Sequence, residues 1–520
     1  MSKPRYIILF LLLLPGFIIF GQKLKPVRLE VPAGVDVETF HVEILSTGQV
    51  LIFYESNDVN NEGLRKWYFG LFNKSLKQKW LKYIPLTDKL EFLEARSSGN
   101  LLYLLFRNST RAKSAENFYD IVHYNMDSEE FAKVSGTFPQ KAEIAGFEVI
   151  DKVGCLALNL KGLATDLVFI NLFTGDVNPL HIEEATNNYI LRLFADTQWK
   201  RFYVGLKSLK DNRYITDEII SLTKEGKADK VLTVENNDNL KVISDYVFVP
   251  ENNQRLRVFG IYDIYTGRLP SLRDFEDDKQ EQEEAHSVGM FFLEFDNGQQ
   301  TVLKYFDFLK LDNIYGTLGN RKMDYVKSGG KNESTKEVTA YYNFYGPSVF
   351  KMNDQYIFSV ETYKPFYKTE TRMDYDYYGR PVPYSYTVFA GYNYYDVIVI
   401  GMSKDGKLIW NNDFPIRDVL TYTLSRQSTV FEDEGLISIA YVSNGKVFLK
   451  TIEGQVDIGT ADTPIVTKIE HDRVTSSHFN HILHWYDNYY LIYGYQKLKN
   501  RSLNEQNIRT VFYINKIAYN

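Results

Sequence analysis

The chain has 520 residues, a formal net charge of −6 at pH 7, an aromatic fraction of 15% and a single cysteine. The mildly acidic balance and the lack of a long basic stripe argue against a nucleic-acid partner. One cysteine permits no intramolecular disulfide, so the core alone must hold the fold. Abundant Tyr and Phe favour an all-β protein, because aromatic side chains suit pleated, half-buried surfaces.

Residues 1–21 predict a secretory signal peptide. Lys3 and Arg5 precede an apolar run from Ile7 to Phe20, and Gly21 supplies a small residue at the expected cleavage position. An uncleaved N-terminal anchor is the alternative. No later segment is apolar for long enough to span a bilayer. Export without disulfides fits a Gram-negative periplasm or bacterial cell surface, and this is the predicted location.

A pair of strands joined by a short turn recurs along residues 22–520 at intervals of roughly 50 residues, the length of a four-stranded propeller blade. The first and second strands of the repeated unit are predicted at Glu38–Leu45 with Val50–Glu55, Leu90–Ala95 with Leu101–Arg107, Glu143–Ile150 with Cys155–Leu160, Tyr189–Phe194 with Arg201–Leu206, Leu240–Val249 with Leu256–Tyr262, Thr429–Phe431 with Leu436–Val442, and Phe479–Trp485 with Tyr489–Tyr495. The hairpin Tyr392–Ile416 marks one further unit, the sixth in chain order.

These units predict an all-β fold, a single β-propeller of eight four-stranded blades. Seven blades is the alternative if the unit at Thr429–Val442 is misread, and a tandem of β-sandwiches is the structural runner-up. The strand-like piece Val27–Val31 precedes the first unit, and the last unit shows only three strands. We therefore expect Val27–Val31 to be the fourth strand of the last blade and to close the ring.

The hairpin Tyr392–Ile416 has a gapless copy at Tyr68–Leu86, in which Trp80 aligns with Trp410. We interpret Trp410 as a wedge between blades. The segment SKDGKLIW, ending at Trp410, resembles the Asp-box of sialidase-type propellers and the repeat of quinoprotein-like propellers. It departs from both, because the Gly is one place early and the Trp recurs in only two hairpins. As a whole, the chain resembles exported β-propeller proteins of unassigned activity from Bacteroidetes-type bacteria, a resemblance that implies no activity.

Three insertions break the regular spacing, at Arg268–Ser287, Leu309–Thr339 and Lys364–Gly391. By unit order, the first and third join the second and third strands of blades five and six, and the other joins these two blades. Both kinds of connection emerge on one face of a propeller. Because loops on a rigid scaffold commonly carry binding sites, we expect this face to be the functional one.

The third insertion is rich in tyrosine and supplies the candidate binding residues. Aromatic and Arg side chains stack on sugars or anchor protein interfaces. The candidates are Tyr367, Arg372, Tyr375, Tyr377, Tyr378, Arg380, Tyr384 and Tyr386. The alternative is a long hairpin whose tyrosines pack on the propeller wall.

The remaining motifs of the sequence predict no catalytic, metal or cofactor site. The acidic run at 274–284 reads as a solvated loop. His478 and His484 would share one face of a strand about 20 Å apart, with His481 on the other face, so we predict no metal site. No nucleophile elbow, P-loop or dinucleotide fingerprint is present. We predict no cofactor, and the catalytic residues, if any, are unknown from sequence.

Two functions therefore remain. The first is an exported, non-enzymatic propeller that binds a protein or glycan through insertions on one face, as a monomer. The alternative is a carbohydrate-active hydrolase or lyase with carboxylates at the central channel.

Overall fold

The computed structural model describes residues 27–34, 39–108, 117–140, 142–160, 164–182, 187–210, 213–238, 241–265, 285–308, 311, 343–375, 377–503 and 507–519. The predicted signal peptide, residues 268–284 of the first insertion and all of Leu309–Thr339 except Leu311 lie outside these ranges. No helix within them is long and apolar enough to cross a membrane.

The described residues form eight antiparallel sheets of four main strands each. Strand β1 (Val27–Pro32) precedes the first sheet. The strands of the first four sheets, from the inside outward, are β2 (Phe40–Ile44), β3 (Val50–Val59), β4 (Arg65–Phe72) and β5 (Gln78–Leu86); β6 (Leu90–Ser98), β7 (Leu101–Asn108), β8 (Asn117–Asn125) and β9 (Glu130–Phe138); β10 (Ala142–Ile150), β11 (Val153–Leu160), β12 (Ala164–Asn171) and β13 (Val177–His181); and β14 (Asn187–Asp196), β15 (Arg201–Lys210), β16 (Arg213–Thr223) and β17 (Ala228–Thr233).

The remaining sheets repeat this order, with two variations. They contain β18 (Lys241–Pro250), β19 (Arg255–Tyr265), β20 (Ala285–Asp296) and β21 (Gln299–Asp307); β22 (Asn343–Met352), β23 (Gln355–Tyr375), β24 (Pro381–Ser403) and β25 (Leu408–Pro415); β26 (Leu420–Thr421), a short strand paired with β24; β27 (Ser428–Asp433), β28 (Leu436–Ser443), β29 (Lys446–Glu453) and β30 (Val456–Pro464); and β31 (Arg473–Tyr486), β32 (Tyr489–Lys499) and β33 (Ile508–Ala518). The last sheet takes β1 as its outermost strand.

Burial explains the composition of each strand position. A second strand such as β11, VGCLALNL, is buried at six consecutive residues because neighbouring blades cover both of its faces. An outermost strand such as β30, VDIGTADTP, is exposed along its whole length. Cys155 lies within β11 and is fully buried, and burial raises the pKa of its thiol far above the ordinary range.

Eight apolar clusters lie between successive blades, and together they form a closed ring. For example, Phe53 of blade 1 packs with Phe106 of blade 2, and Phe358 of blade 6 packs with Phe259 of blade 5. The eighth cluster joins Leu491 of blade 8 to Val50 of blade 1. The fold is therefore the predicted eight-bladed β-propeller.

Closure of the ring relies on β1, as predicted. It pairs antiparallel with β33 from Val27↔Lys516 to Pro32↔Val511. Arg28 ties the strand inward by donating to Asn515 Oδ1 at 3.0 Å and to Gln496 Oε1 at 2.9 Å. At the same junction, the hydroxyl of Tyr495 accepts the backbone N–H groups of Thr39 and Phe40.

The two Trp-containing hairpins have the same geometry. Trp80 pairs with Leu71 and Trp410 with Gly401, and each pair is followed at once by a register shift. Trp410 packs in the cluster between blades 6 and 7 and donates its indole N–H to Gln355 Oε1 at 2.9 Å. It is a wedge between blades, as interpreted from the sequence.

Candidate functional site

The third insertion is a continuation of two strands. Strands β23 and β24 stay paired from Gln355↔Ser403 to Tyr375↔Pro381, far beyond the other blades. We call residues 365–390 the ribbon. Its nine pairs outward from Tyr367↔Phe389 extend about 30 Å at the usual rise per strand residue. The ribbon leaves the propeller on the side where the second strand of each blade turns into the third. We call this side of the propeller the ribbon face.

The root of the ribbon is fixed by the segment that connects blade 6 to blade 7. Strand β26 pairs with β24 at Tyr392↔Thr421 and Asn393↔Leu420. The Tyr394 hydroxyl donates to the Ser425 carbonyl at 2.7 Å and accepts its N–H at 3.1 Å. These contacts set the direction in which the ribbon leaves the propeller.

A buried carboxylate reinforces the same root. Glu361 accepts the backbone N–H groups of Gln427 at 3.0 Å and Ser428 at 2.6 Å, and the Ser428 hydroxyl at 2.5 Å. Burial raises the pKa of Glu361, against the opposing attraction of Arg426. The hydrogen bonds that the carboxylate accepts offset part of the free-energy cost of burying it.

The two faces of the ribbon differ in chemistry, because side chains alternate across a strand. One face is uncharged: Tyr367 contacts Phe389, and the Thr371 and Ser385 hydroxyls lie 2.9 Å apart. The other face is charged along one strand and aromatic along the next. There Tyr384 and Tyr386 stack on each other, and the Arg372 guanidinium lies 5.8 Å from the Tyr384 ring centre.

The tip of the ribbon carries three of the predicted residues. Tyr377 is 97% exposed and contacts the Tyr378 ring edge-on, and Arg380 lies over the Tyr378 ring at 5.6 Å. The eight candidates therefore fall into three groups. Those on the uncharged face are Tyr367 and Tyr375, those on the charged face are Arg372, Tyr384 and Tyr386, and those at the tip are Tyr377, Tyr378 and Arg380. All four tyrosines of the two faces are exposed, so they are not buried against the propeller wall.

A polar cavity lies beside the root of the ribbon, between blades 7 and 8 on the ribbon face. Its volume is about 320 Å³. Thr421 of β26 is part of its wall, so the cavity and the ribbon share an element. Its polar lining includes Gln427, Ser443, Ser476, Ser477, His478 and Asn480. The sequence offers no motif for this cavity, since its residues come from three separate segments.

The innermost strands of blades 1 to 5 contribute charged side chains around the central channel. Arg96 of β6 binds Glu94 on its own strand at 2.6 Å and Glu148 of β10 at 2.9 Å. Arg192 of β14 binds Asp245 of β18 at 2.5 Å. Each arginine thus joins its blade to the next one.

Two channel carboxyls have pKa values displaced toward neutrality. Burial raises the pKa of Glu43 on β2 to about 7, against the attraction of Arg96. Burial also raises the pKa of Glu148 to about 7, against the same arginine. Carboxyls with such values exchange protons near neutral pH. Carboxylates at the channel belong to the alternative function predicted from the sequence, but the sequence identifies none of them, because the strands that bring them together are far apart in the chain.

The histidines of β31 have separate surroundings. His481 stacks on Tyr493 with ring centres 4.9 Å apart, His484 stacks on Phe431 at 4.0 Å, and His478 lines the polar cavity. Among the described residues, no group of three His, Cys, Asp or Glu side chains could hold a metal ion. The acidic run at 274–284 lies outside the described residues.

No protein-family model matches the chain, and no curated protein matches it by sequence. Among solved structures, it is similar to polysaccharide lyase Uly1, with a TM-score of 0.37 and 10% identity over 82% of this chain and 89% of that one. It is also similar to the β-propeller domain of the Trilobed protease from Pyrococcus furiosus, which has an open velcro topology (TM-score 0.35, 8% identity, 83% and 99% covered). A third similarity is to two prolyl endopeptidases (TM-score 0.39, 10% identity, 90% and 55% covered). At these identities the likeness concerns the fold alone.

Proposed function

We propose that this protein is an exported β-propeller that binds a protein partner through its ribbon. The observation that carries the proposal is the ribbon itself, a paired extension that places aromatic and Arg side chains in solvent. Tyr377, Tyr378 and Met373 are 97%, 78% and 60% exposed. Tyr and Arg are the side chains that most often anchor protein interfaces. The signal-like pattern of Met1–Gly21 supports the exported location.

The shape of the ribbon favours a protein over a glycan. Between Pro381 and Gly391, on the tip side of Tyr392, strand β24 pairs with β23 alone. Both outer edges of the ribbon therefore present backbone donors and acceptors. Such edges can receive a strand from a partner. A two-stranded ribbon is also marginally stable by itself in water, and a partner that adds a strand would stabilise it.

The test replaces residues 368–388 with Asn-Gly. Because Tyr367 and Phe389 are directly paired, a two-residue turn closes the shortened hairpin without disturbing the propeller. A photocrosslinker at position 377 identifies the partner, with the same probe at exposed Tyr83 on blade 1 as the control. The purified partner should bind the shortened protein at least about tenfold more weakly, a loss of roughly 1.4 kcal/mol, at unchanged melting temperature.

Equal affinity of the partner for the shortened and the complete protein would contradict the proposal. So would crosslinks from position 83 that match those from position 377. If the complete protein bound glycans and no protein through the ribbon, the partner would be a glycan and the proposal would be wrong.

A carbohydrate-active enzyme is the second candidate, favoured by the displaced pKa values of Glu43 and Glu148 beside Arg96. One carboxyl could then act as a general acid and one as a base. The test is a screen of neutral and acidic polysaccharides at pH 5 to 9. Activity that is lost in Glu43→Gln or Glu148→Gln, but kept in Glu143→Gln at an exposed position of β10, would support this function. Equal turnover by all three variants would exclude these carboxyls.

A further inference from the structure

The polar cavity between blades 7 and 8 is built on a distorted strand. In β31 the register shifts between His478 and His481, and Phe479 has a φ of 49°. A bulky residue rarely adopts this left-handed conformation. Phe479 is part of the cavity wall, and its two neighbours His478 and Asn480 line the cavity with it.

The adjacent strand is adapted to the distortion. Gly494 of β32 lies directly against it, and a Cβ at this position would stand 2.8 Å from the Phe479 carbonyl oxygen and 2.9 Å from Asn480 Oδ1. Any side chain there would displace the bulge. Backbone strain of this kind costs on the order of 1–3 kcal/mol and concentrates at functional sites. A regular strand would avoid that cost, so the distortion points to a use for the side chains it turns into the cavity.

Hydrogen bonds hold these side chains in place. The Ser477 hydroxyl donates to Asn480 Oδ1 at 2.6 Å, and the Tyr513 hydroxyl donates to the same oxygen at 2.8 Å. The carboxamide is thereby oriented with its oxygen toward the protein and its amino group as the remaining donor. On the opposite wall, Gln427 Nε2 donates to the Ser425 carbonyl at 2.9 Å, which orients the second carboxamide.

The lining specifies the class of ligand. Amides and hydroxyls both donate and accept hydrogen bonds, as sugar hydroxyls do. Among the described residues of the wall, Asp418 alone carries a fixed formal charge, and Asn444 donates to its carboxylate at 3.1 Å. Phe479 adds an apolar surface. The volume of about 320 Å³ is at the lower end of the range for small-molecule sites.

We propose that this cavity binds an uncharged, hydroxyl-rich ring, the terminal residue of a neutral glycan. The site is independent of the ribbon's partner. Its ligand enters from the ribbon face, is held by the amides of Asn480 and Gln427, and contacts His478 at the rim.

The test is calorimetric titration of the full chain with glucose, galactose, mannose and N-acetylglucosamine, and with glucuronate and glucosamine as charged comparators. At least one neutral sugar should saturate the protein at one site per chain and bind better than both charged sugars. His478→Ala, at an exposed position that should not affect folding, should weaken binding at least about tenfold. His484→Ala on the same strand, where the ring stacks on Phe431, is the matched control and should bind as the wild type does.

A second variant tests the distorted strand. Gly494→Ala should abolish binding while the near-ultraviolet circular dichroism of the propeller is retained. Failure of every neutral sugar to saturate, a preference for glucuronate or glucosamine, or unchanged affinity in His478→Ala would overturn the proposal. The ribbon-shortened protein should keep its sugar affinity, and His478→Ala should keep its protein partner, so the two proposals fail separately.

Discussion

At the scale of single residues, the channel carboxyls give the protein a predictable response to pH. The folded pKa of Glu43 is raised to about 7, above the value near 4.3 of a solvated Glu. Between these two values the folded chain binds more protons than the unfolded chain. The contribution of Glu43 is therefore fully favourable below about pH 4 and is lost as the pH rises through about 7.

Glu43→Gln removes this titration. The wild-type free energy of unfolding should fall between pH 5 and pH 8 by up to roughly 3 kcal/mol more than that of the variant, since one pKa unit corresponds to about 1.4 kcal/mol. Urea unfolding at pH 5, 6, 7 and 8 measures the difference. Glu143→Gln at an exposed site is the control, and parallel curves for wild type and Glu43→Gln would show that Glu43 is not the titrating group.

These residues could not be predicted from the sequence, because their surroundings form only when the blades assemble. Glu43, Arg96 and Glu148 are ordinary surface residue types on the innermost strands of blades 1, 2 and 3, and only the packing of these blades around the channel brings them together. Phe479 is similar, because its left-handed backbone depends on Gly494 in the neighbouring strand. Their environment is a property of the assembled blades.

At the scale of elements, the turn between the third and fourth strands contacts the preceding blade. Gly406 has a φ of +65°, and a Cβ there would stand 2.1 Å from the Phe292 ring of blade 5. The aligned residue of the first copy is Leu76, whose φ is 54° and whose side chain packs in the cluster shared with blade 8. Equivalent turns therefore fill equivalent junctions in two ways. Gly406 leaves room for the Phe292 ring of blade 5, whereas Leu76 projects its own side chain toward blade 8.

A comparison of Gly406→Ala with Gly298→Ala distinguishes the stability lost to backbone strain from the stability lost at the contact with Phe292. Both glycines have positive φ in equivalent turns, but a Cβ at Gly298 would come no closer than 4.0 Å to its neighbours. Each variant should lose roughly 1–2 kcal/mol to the left-handed backbone, and Gly406→Ala should lose a further ~1–3 kcal/mol to overpacking. Chemical denaturation measures both, and equal losses would rule out the contact with Phe292.

The ribbon shows how far element prediction reached. Its position between the second and third strands of blade 6 follows from unit order. The high polarity of the segment favours a loop, and a long hairpin with its tyrosines packed on the propeller wall is the alternative. The structure shows the hairpin, but with exposed tyrosines. Polarity indicates exposure, and here exposure arises because the strands continue into solvent on both faces.

At the scale of the whole molecule, eight similar clusters share the stability and β1 completes the last of them. Its residues Val27, Leu29 and Val31 pack against the cluster between blades 8 and 1. The eight blades and the closing strand were both predicted from sequence, because blade spacing and strand alternation are local patterns.

Deletion of residues 27–33 should lower the free energy of unfolding by on the order of 3–5 kcal/mol, from lost apolar burial, and the bared edge of β33 should promote association. Thermal unfolding and size-exclusion chromatography measure the two effects. A synthetic peptide of residues 27–33 should restore the melting temperature, and a scrambled peptide of the same composition should not. An unchanged melting temperature after deletion would show that the ring is stable without this strand.

The pairing of β1 with β33 also sets an order in time. Strand β1 precedes all eight blades but pairs with β33, which ends at Ala518, so the ring cannot close until β33 has been synthesised. Seven blades can pack one after another as they emerge, while β1 waits without its partner. Long-range pairing of this kind is slow to form, and the final closure is the step at which a chain carrying a damaged last blade would fail.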